Sequence, residues 1–140
     1  MKYLLDTNVL SEIPKLTGDA GVKAFINSLP EESLFISAIT IGEISFGIEK
    51  LPEGAKKTEL SLWFTQKLPL RFGNRIIPLD TEIMTEWGRL MAGSVKTMPV
   101  FDSLIAASAM VRRLALLTRS IKDFKSIKGL MLLNPWELTP

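Results

Sequence analysis

Hydrophobic positions along the chain change period several times, and each change marks an element. Residues 2–5 (KYLL) form a short apolar run ending at Asp6, the pattern of a buried strand. Next, Val9, Leu10 and Ile13 fall on the inner side of a brief helix opened by Thr7 and Asn8 and stopped by Pro14. Val22, Phe25, Ile26 and Leu29 then recur at spacings of three and four, which predicts an amphipathic helix from Asp19 to about Leu29, closed by Pro30. A second apolar run at 33–37 (SLFIS) reads as a strand. Residues 38–51 (AITIGEISFGIEKL) return to the helical period, with Ile41, Ile44 and Ile48 on one face and Glu43 near the start.

The second half repeats the alternation. Residues 52–58 (PEGAKKT) read as a polar turn, and 59–68 as a helix presenting Leu60, Trp63, Phe64 and Leu68. Residues 75–80 (RIIPLD) look like a strand whose Pro78 suggests a strand end or sheet edge. Asp80 or Thr81 caps a helix running to about Ala92, and 93–99 form a loop. The stretch 101–114 (FDSLIAASAMVRRL) is apolar nearly all round through Ala109 and rich in small residues, so it predicts a helix buried against close neighbours. Short strands at 115–118 and 130–134 complete the pattern. Strands alternating with helices, each strand too continuously apolar to have a wet face, predict the α/β class: a mostly parallel central sheet covered by helices on both sides, α/β/α. Ligands of such sheets bind in the crevice beyond the carboxyl ends of the strands.

Composition sharpens the chemistry more than the fold. The 140 residues suit one domain spanning 1–140, and 46% hydrophobic with 23% charged residues is ordinary for a globular chain. No apolar run approaches the roughly 18 residues that span a bilayer, and the N-terminus has no signal-peptide pattern, so a cytoplasmic protein without membrane partners is expected. Cysteine and histidine are both absent. That excludes disulfides, thiolate sites, cysteine nucleophiles and the usual neutral-pH general base, leaving carboxylates, hydroxyls, amines or an oxygen-bound metal. The net charge is only +2, but residues 103–140 carry six basic and two acidic groups. A solvated face is the commoner meaning of such a bias and a polyanion contact the less common one.

Three acids fall at strand ends or helix starts. Asp6 follows the first strand, Glu43 follows the second by about a helical turn, and Asp102 opens the buried helix. Each has an ordinary reading: Asp6 and Asp102 as N-caps, Glu43 as a first-turn acid favoured by the helix dipole. A doubly covered sheet would bring all three towards the same rim. Like charges about 4 Å apart repel by roughly 4 kcal/mol at an effective dielectric near 20. Hard oxygen ligands without His or Cys suit Mg²⁺ or Mn²⁺.

Five blocks, YLLDTNVLSE, ISAITIGEISFGIEKL, FDSLIAASAMV, LLTRSIKDF and the closing LLNPW, together resemble the PIN-domain ribonucleases, specifically the VapC and FitB-like toxins of prokaryotic toxin–antitoxin pairs. The resemblance runs from Lys2 to Trp136 and implies a PIN domain that cleaves RNA with a divalent metal. It implies that Asp6, Glu43 and Asp102 are the catalytic and metal-binding acids. Many relatives place Asp or Asn directly after the Thr-Arg, where this chain has Ser120, with Asp123 three residues later. Ser120 through a water, Asp123 leaning in, or three acids alone all fit that pattern. Thr7, Asn8 and Thr118 are candidates for holding the carboxylates in place, with local turn bonds the ordinary alternative. Arg112, Arg113, Arg119, Lys122 and Lys125 are candidate contacts to the RNA backbone. The resemblance also implies a cognate VapB/FitA-like antitoxin and a homodimer, within a possible toxin–antitoxin hetero-oligomer. Leu60, Trp63, Phe64 and Leu68 form either a groove for that antitoxin or, more commonly for such a stripe, core.

Three rivals compete. A haloacid-dehalogenase-like phosphatase wants a second Asp where Asn8 stands, and a receiver-like signalling domain wants paired acids near the first strand end. A catalytically inactive PIN fold, binding RNA or protein, is the third.

Overall fold

The computed structural model describes residues 1–94 and 97–138. The elements follow in the order β1 (Tyr3–Leu5), α1 (Thr7–Leu10), α2 (Ala20–Ser28), β2 (Leu34–Ser37), α3 (Ala38–Glu49), α4 (Ala55–Leu62), a π-helical turn (Trp63–Lys67), α5 (Leu68–Phe72), β3 (Ile76–Ile77), α6 (Thr81–Ala92), α7 (Val100–Arg112), β4 (Ala115–Leu117), α8 (Ile121–Phe124) and β5 (Leu132–Leu133). All five strands are parallel, in the order β3-β2-β1-β4-β5.

Alternation along the strands builds the two faces. Leu5, Leu34, Ile36 and Leu117 point to one side, where they meet Val9 and Leu10 of α1, Val22 and Ile26 of α2, Ile44 and Ile48 of α3, and Leu68 and Phe72 of α5. Leu4, Ile77 and Leu116 point to the other, against Ile83 of α6, the Ile105–Ala109 stretch of α7 and Phe124 of α8. Successive side chains of a strand face opposite ways, so Leu4 and Leu5 serve different cores. The result is the three-layer α/β/α arrangement that the continuous apolar strands call for. Small residues let α7 lie close to α6: Ser103, Ala106 and Ala107 are buried, and the Trp87 indole N–H of α6 donates to Ser103 Oγ at 2.8 Å.

Several boundaries differ from the sequence reading. The turn at 52–58 is helical from Ala55, because α4 begins on an exposed surface where polarity masks the period; Lys57 steadies that start by pairing with Glu53 and donating to the Glu49 carbonyl. The helix at 59–68 runs on through the π turn to Phe72 despite Pro69. Pro69 lacks an N–H and lies inside this continuous helix, directly after the π turn, whose wider backbone spacing accommodates it. Leu68 is buried, and Leu60, Trp63 and Phe64 are half-buried against the first core, so the stripe acts as core. The strands are shorter than expected, and Pro78 does follow an edge strand. Asp80, not Thr81, caps α6 by accepting from the Ile83 N–H at 2.9 Å. Part of the 93–99 loop lies outside the described residues.

Candidate active site at the carboxyl ends of β1 and β4

The chain leaves β1 toward β2 on one side and later returns to place β4 on the other. Such a reversal of strand order opens a crevice at the strand ends. Asp6 sits in it. Its N–H donates to the Leu117 carbonyl at 2.9 Å, continuing the β1–β4 pairing by one residue. Its side chain is buried and carries two bonds. Oδ1 accepts from the Thr7 N–H and Oδ2 from the Thr118 hydroxyl, each at 2.8 Å. Asp6 is therefore a helix cap, as its position suggests, and also tied to the end of β4.

The neighbouring hydroxyls organise the other acids. Thr7 Oγ1 donates to Glu43 Oε1 at 2.7 Å and lies 3.0 Å from the buried Thr40 hydroxyl. Thr40 and Glu43, three apart on α3, share a face, so one hydroxyl pair sets the carboxylate. Glu43 is the sixth residue of α3 rather than a first-turn acid, and a dipole role does not reach that far. Thr118 Oγ1 accepts from the Ser120 N–H at 3.0 Å while it donates to Asp6. Among the described residues, Asn8 bonds no carboxylate. Its Oδ1 accepts from the Arg119 N–H and its Nδ2 donates to Ser120 Oγ, both at 3.3 Å, which pins the turn after β4.

Asp102 departs from the capping expectation. Pro99 occupies the cap position of α7, and Asp102 is the third helical residue. Among the described residues its half-buried carboxylate has no hydrogen-bond partner, so neither a cap nor an ion pair accounts for it. Its pKa is pushed up by burial first, then by the charges of Asp6 and Asp123. Asp6 is also pushed up, mainly by burial; the bonds from Thr118 and Thr7 oppose this, and Glu43 and Asp123 add to it. Asp123, exposed in the first turn of α8, thus acts on both aspartates across the crevice. Among the described residues, no three of these carboxylates are gathered tightly enough to hold one ion as they stand. They share a rim at charge-interaction range, with Asp6 as the common neighbour. The donor set is oxygen only, and neighbouring negative charge adds to burial in raising the pKa values of Asp6 and Asp102. That is the chemistry a hard divalent cation relieves.

The candidate cations divide. Arg112 pairs with Asp80 at the C-terminal end of α7, ten residues and about 15 Å along the axis from Asp102. Arg113 caps that same end in a left-handed conformation, just before β4. Both lie away from the crevice, because a helix that presents its first turn to the site carries its last turn elsewhere. Arg119 follows Thr118 directly, and Lys122 and Lys125 are exposed beside Asp123 on or after α8. The sequence reading missed Thr40, whose place three residues before Glu43 was the available signal. It also missed Asn134 and Trp136 as site neighbours: the β4–β5 ladder puts them beside Arg119, with Trp136 4.9 Å from its guanidinium.

Comparison with known proteins agrees with this architecture. The family pattern described as "PIN domain" matches residues 3–130. A protein named VapC ribonuclease Y4jK, from Sinorhizobium fredii, is 34% identical over 137 residues, covering 96% of this chain and 97% of that protein. The toxin FitB of Neisseria gonorrhoeae is 32% identical over 136 residues, 95% and 97% of the two chains. The crystal structure of FitAcB from the same organism superposes with a TM-score of 0.89 at 32% identity, covering 97% of this chain and 99% of that one. Matched from the first strand almost to the last, the chain belongs to the PIN-domain family, among its VapC- and FitB-like members.

Proposed function

We propose that the chain is a metal-dependent endoribonuclease toxin, a phosphodiester hydrolase of the cytoplasm held in check by a cognate VapB/FitA-like antitoxin. The observation that carries the reading is the rim itself: Asp6 and Asp102 have raised pKa values, Glu43 and Asp123 act on Asp6 and Asp123 on Asp102, and among the described residues Asp102 accepts no hydrogen bond. Asp6, Glu43, Asp102 and Asp123 would hold Mg²⁺ or Mn²⁺, which when bound supplies an activated water and neutralises charge on the phosphate.

The chain's own part is positioning. Thr118 and the Thr7 N–H fix the two oxygens of Asp6, and the Thr7 hydroxyl fixes Glu43. Those bonds limit how far Asp6 and Glu43 have to move when a cation and substrate arrive. Ser120 bonds Asn8, which leaves Asp123 the better fourth acid because its charge reaches both aspartates. Arg119, Lys122 and Lys125 supply positive charge beside the crevice for the RNA backbone. The resemblance adds a homodimer. No observation favours a catalytically inactive binding module.

The test is an assay of purified, partner-free protein on total cellular RNA. Cleavage leaving 5′-phosphates, abolished by EDTA and restored by Mg²⁺ or Mn²⁺, is expected. Cleavage indifferent to EDTA would reject the metal, and no cleavage of any RNA would reject the nuclease.

A further inference from the structure

We propose that Arg119 is the phosphate-binding arm of the site and that Trp136 holds its guanidinium in place. The inference rests on the reading of RNA as substrate, and it assigns a role to the Asn134–Trp136 segment, which the catalytic acids leave unexplained.

Backbone pairing makes the juxtaposition. The Thr118 N–H donates to the Leu133 carbonyl at 3.0 Å, so the residues after β5 run beside the turn after β4. Arg119 is then fixed on both sides of its own backbone. Its N–H donates to Asn8 Oδ1 at 3.3 Å, and its carbonyl accepts from Asn134 Nδ2 at 3.5 Å. Asn134 is itself set by a turn in which its Oδ1 accepts from the Trp136 N–H at 2.9 Å. Trp136 is half-buried against the first core, which gives it a firm seat, and its ring lies 4.9 Å from the Arg119 guanidinium. A long side chain is thereby anchored at its backbone and again at its tip.

Its charge is left unspent. Arg119 is exposed and makes no ion pair within 4.0 Å among the described residues, in contrast to Arg112 on Asp80 or Arg71 and Arg75 on Glu31. Glu12 senses its charge, but that carboxylate is occupied by the Asp19 N–H and by Lys15. A guanidinium stacked on an aromatic face keeps its N–H edge free, and that edge matches a phosphate in a two-pronged contact. Arg119 stands one residue from Thr118, the donor to Asp6. A phosphate gripped there is held by an arm rooted at the edge of the acidic crevice, with its tip on the Trp136 side.

The test uses binding, in the presence of chelator, of a labelled single-stranded oligoribonucleotide, followed by fluorescence anisotropy over a range of salt. Arg119→Ala is expected to weaken binding about tenfold and to make the log–log salt slope shallower by about 0.7, one phosphate contact. Trp136→Leu is expected to weaken binding about two- to fivefold in the unaltered chain and not at all in the Arg119→Ala background. Trp136→Phe should recover most of the loss, and thermal unfolding of each variant separates it from misfolding. Additive losses would overturn the role of Trp136. An unchanged salt slope in Arg119→Ala, or no binding by the unaltered chain at low salt, would overturn the arm. A chain that binds RNA through Arg119 and never cleaves it would refute the nuclease while leaving the arm intact; cleavage by Arg119→Ala at unchanged KM would do the reverse.

Discussion

The starts of α6 and α7 place two aspartates in similar sequence positions and put them to opposite uses. Asp80 caps α6 through the Ile83 N–H and pairs with Arg112, so both of its oxygens serve the fold. Asp102 lies inside the first turn of α7, with Pro99 in the capping position, and bonds to nothing among the described residues. Burial and two neighbouring carboxylates raise its pKa. The difference separates an acid whose oxygens are both bound by the fold from one favoured only by the dipole of its helix, against burial and like charge. Residues kept at a cost to stability are the ones expected to do chemistry.

Exchanging the charge at each position should break that symmetry in opposite directions, and the largest effect is on activity. Asp102→Asn is expected to lower RNA cleavage by at least about 100-fold, while the melting temperature of the metal-free protein stays level or rises. Because Asp102 is only half-buried, the stabilisation should not exceed about 1 kcal/mol. Asp80→Ala is expected to lose about 1 kcal/mol of stability through the missing cap and to keep its cleavage rate. If Asp102→Asn unfolded the protein, or Asp80→Ala abolished cleavage, the contrast would fail.

Metal should act next in size and only in one pH range. Asp6 and Asp102 have folded pKa values above the usual 3.8. Their contribution to stability is complete below 3.8 and is lost as pH rises through the folded values. At neutral pH both charged aspartates therefore disfavour the metal-free fold, and a divalent cation removes the penalty. Mg²⁺ or Mn²⁺ at 100 times its dissociation constant is expected to add about 2.7 kcal/mol near pH 7, with a smaller gain as pH falls toward 4, where protons compete. A gain that did not depend on pH would point to another binding place. The smallest effect belongs to Arg112→Ala, which should cost at most about 1 kcal/mol of stability and leave cleavage untouched, since its charge is directed at Asp80.

Much of the layering was legible in the chain because burial imposes periodicity. Leu4 and Leu5 alternate between two cores, and Ile44 and Ile48 recur at one helical turn. The start of α4 was not legible, since an exposed first turn needs no apolar residue. Nor was the end of α5, because a π turn ahead of Pro69 lets a helix run through a residue that normally stops one. The same distinction governs the site. Asp6 was visible as an acid after a strand, and Thr7 and Thr118 as its flanking donors. The role of Asn8 depends on a bond to residues more than 110 positions away, and the stacking of Trp136 on Arg119 depends on the pairing of two short strands. Neither leaves a local pattern. The basic residues at 112 and 113 show the same limit: proximity in sequence to a site helix says nothing about which end of it they occupy, and both lie at the far end of α7 from Asp102.

The central claim is that acids from four separate segments share a divalent cation at the ends of β1 and β4. Titrating Mn²⁺ into isotopically labelled protein and recording amide line broadening tests it most directly. The account predicts early loss of the Thr7, Asp102, Thr118 and Asp123 signals, with those of Glu82 and Arg113 retained at the same Mn²⁺ ratio. Broadening centred elsewhere, or none at stoichiometric Mn²⁺ near neutral pH, would contradict it.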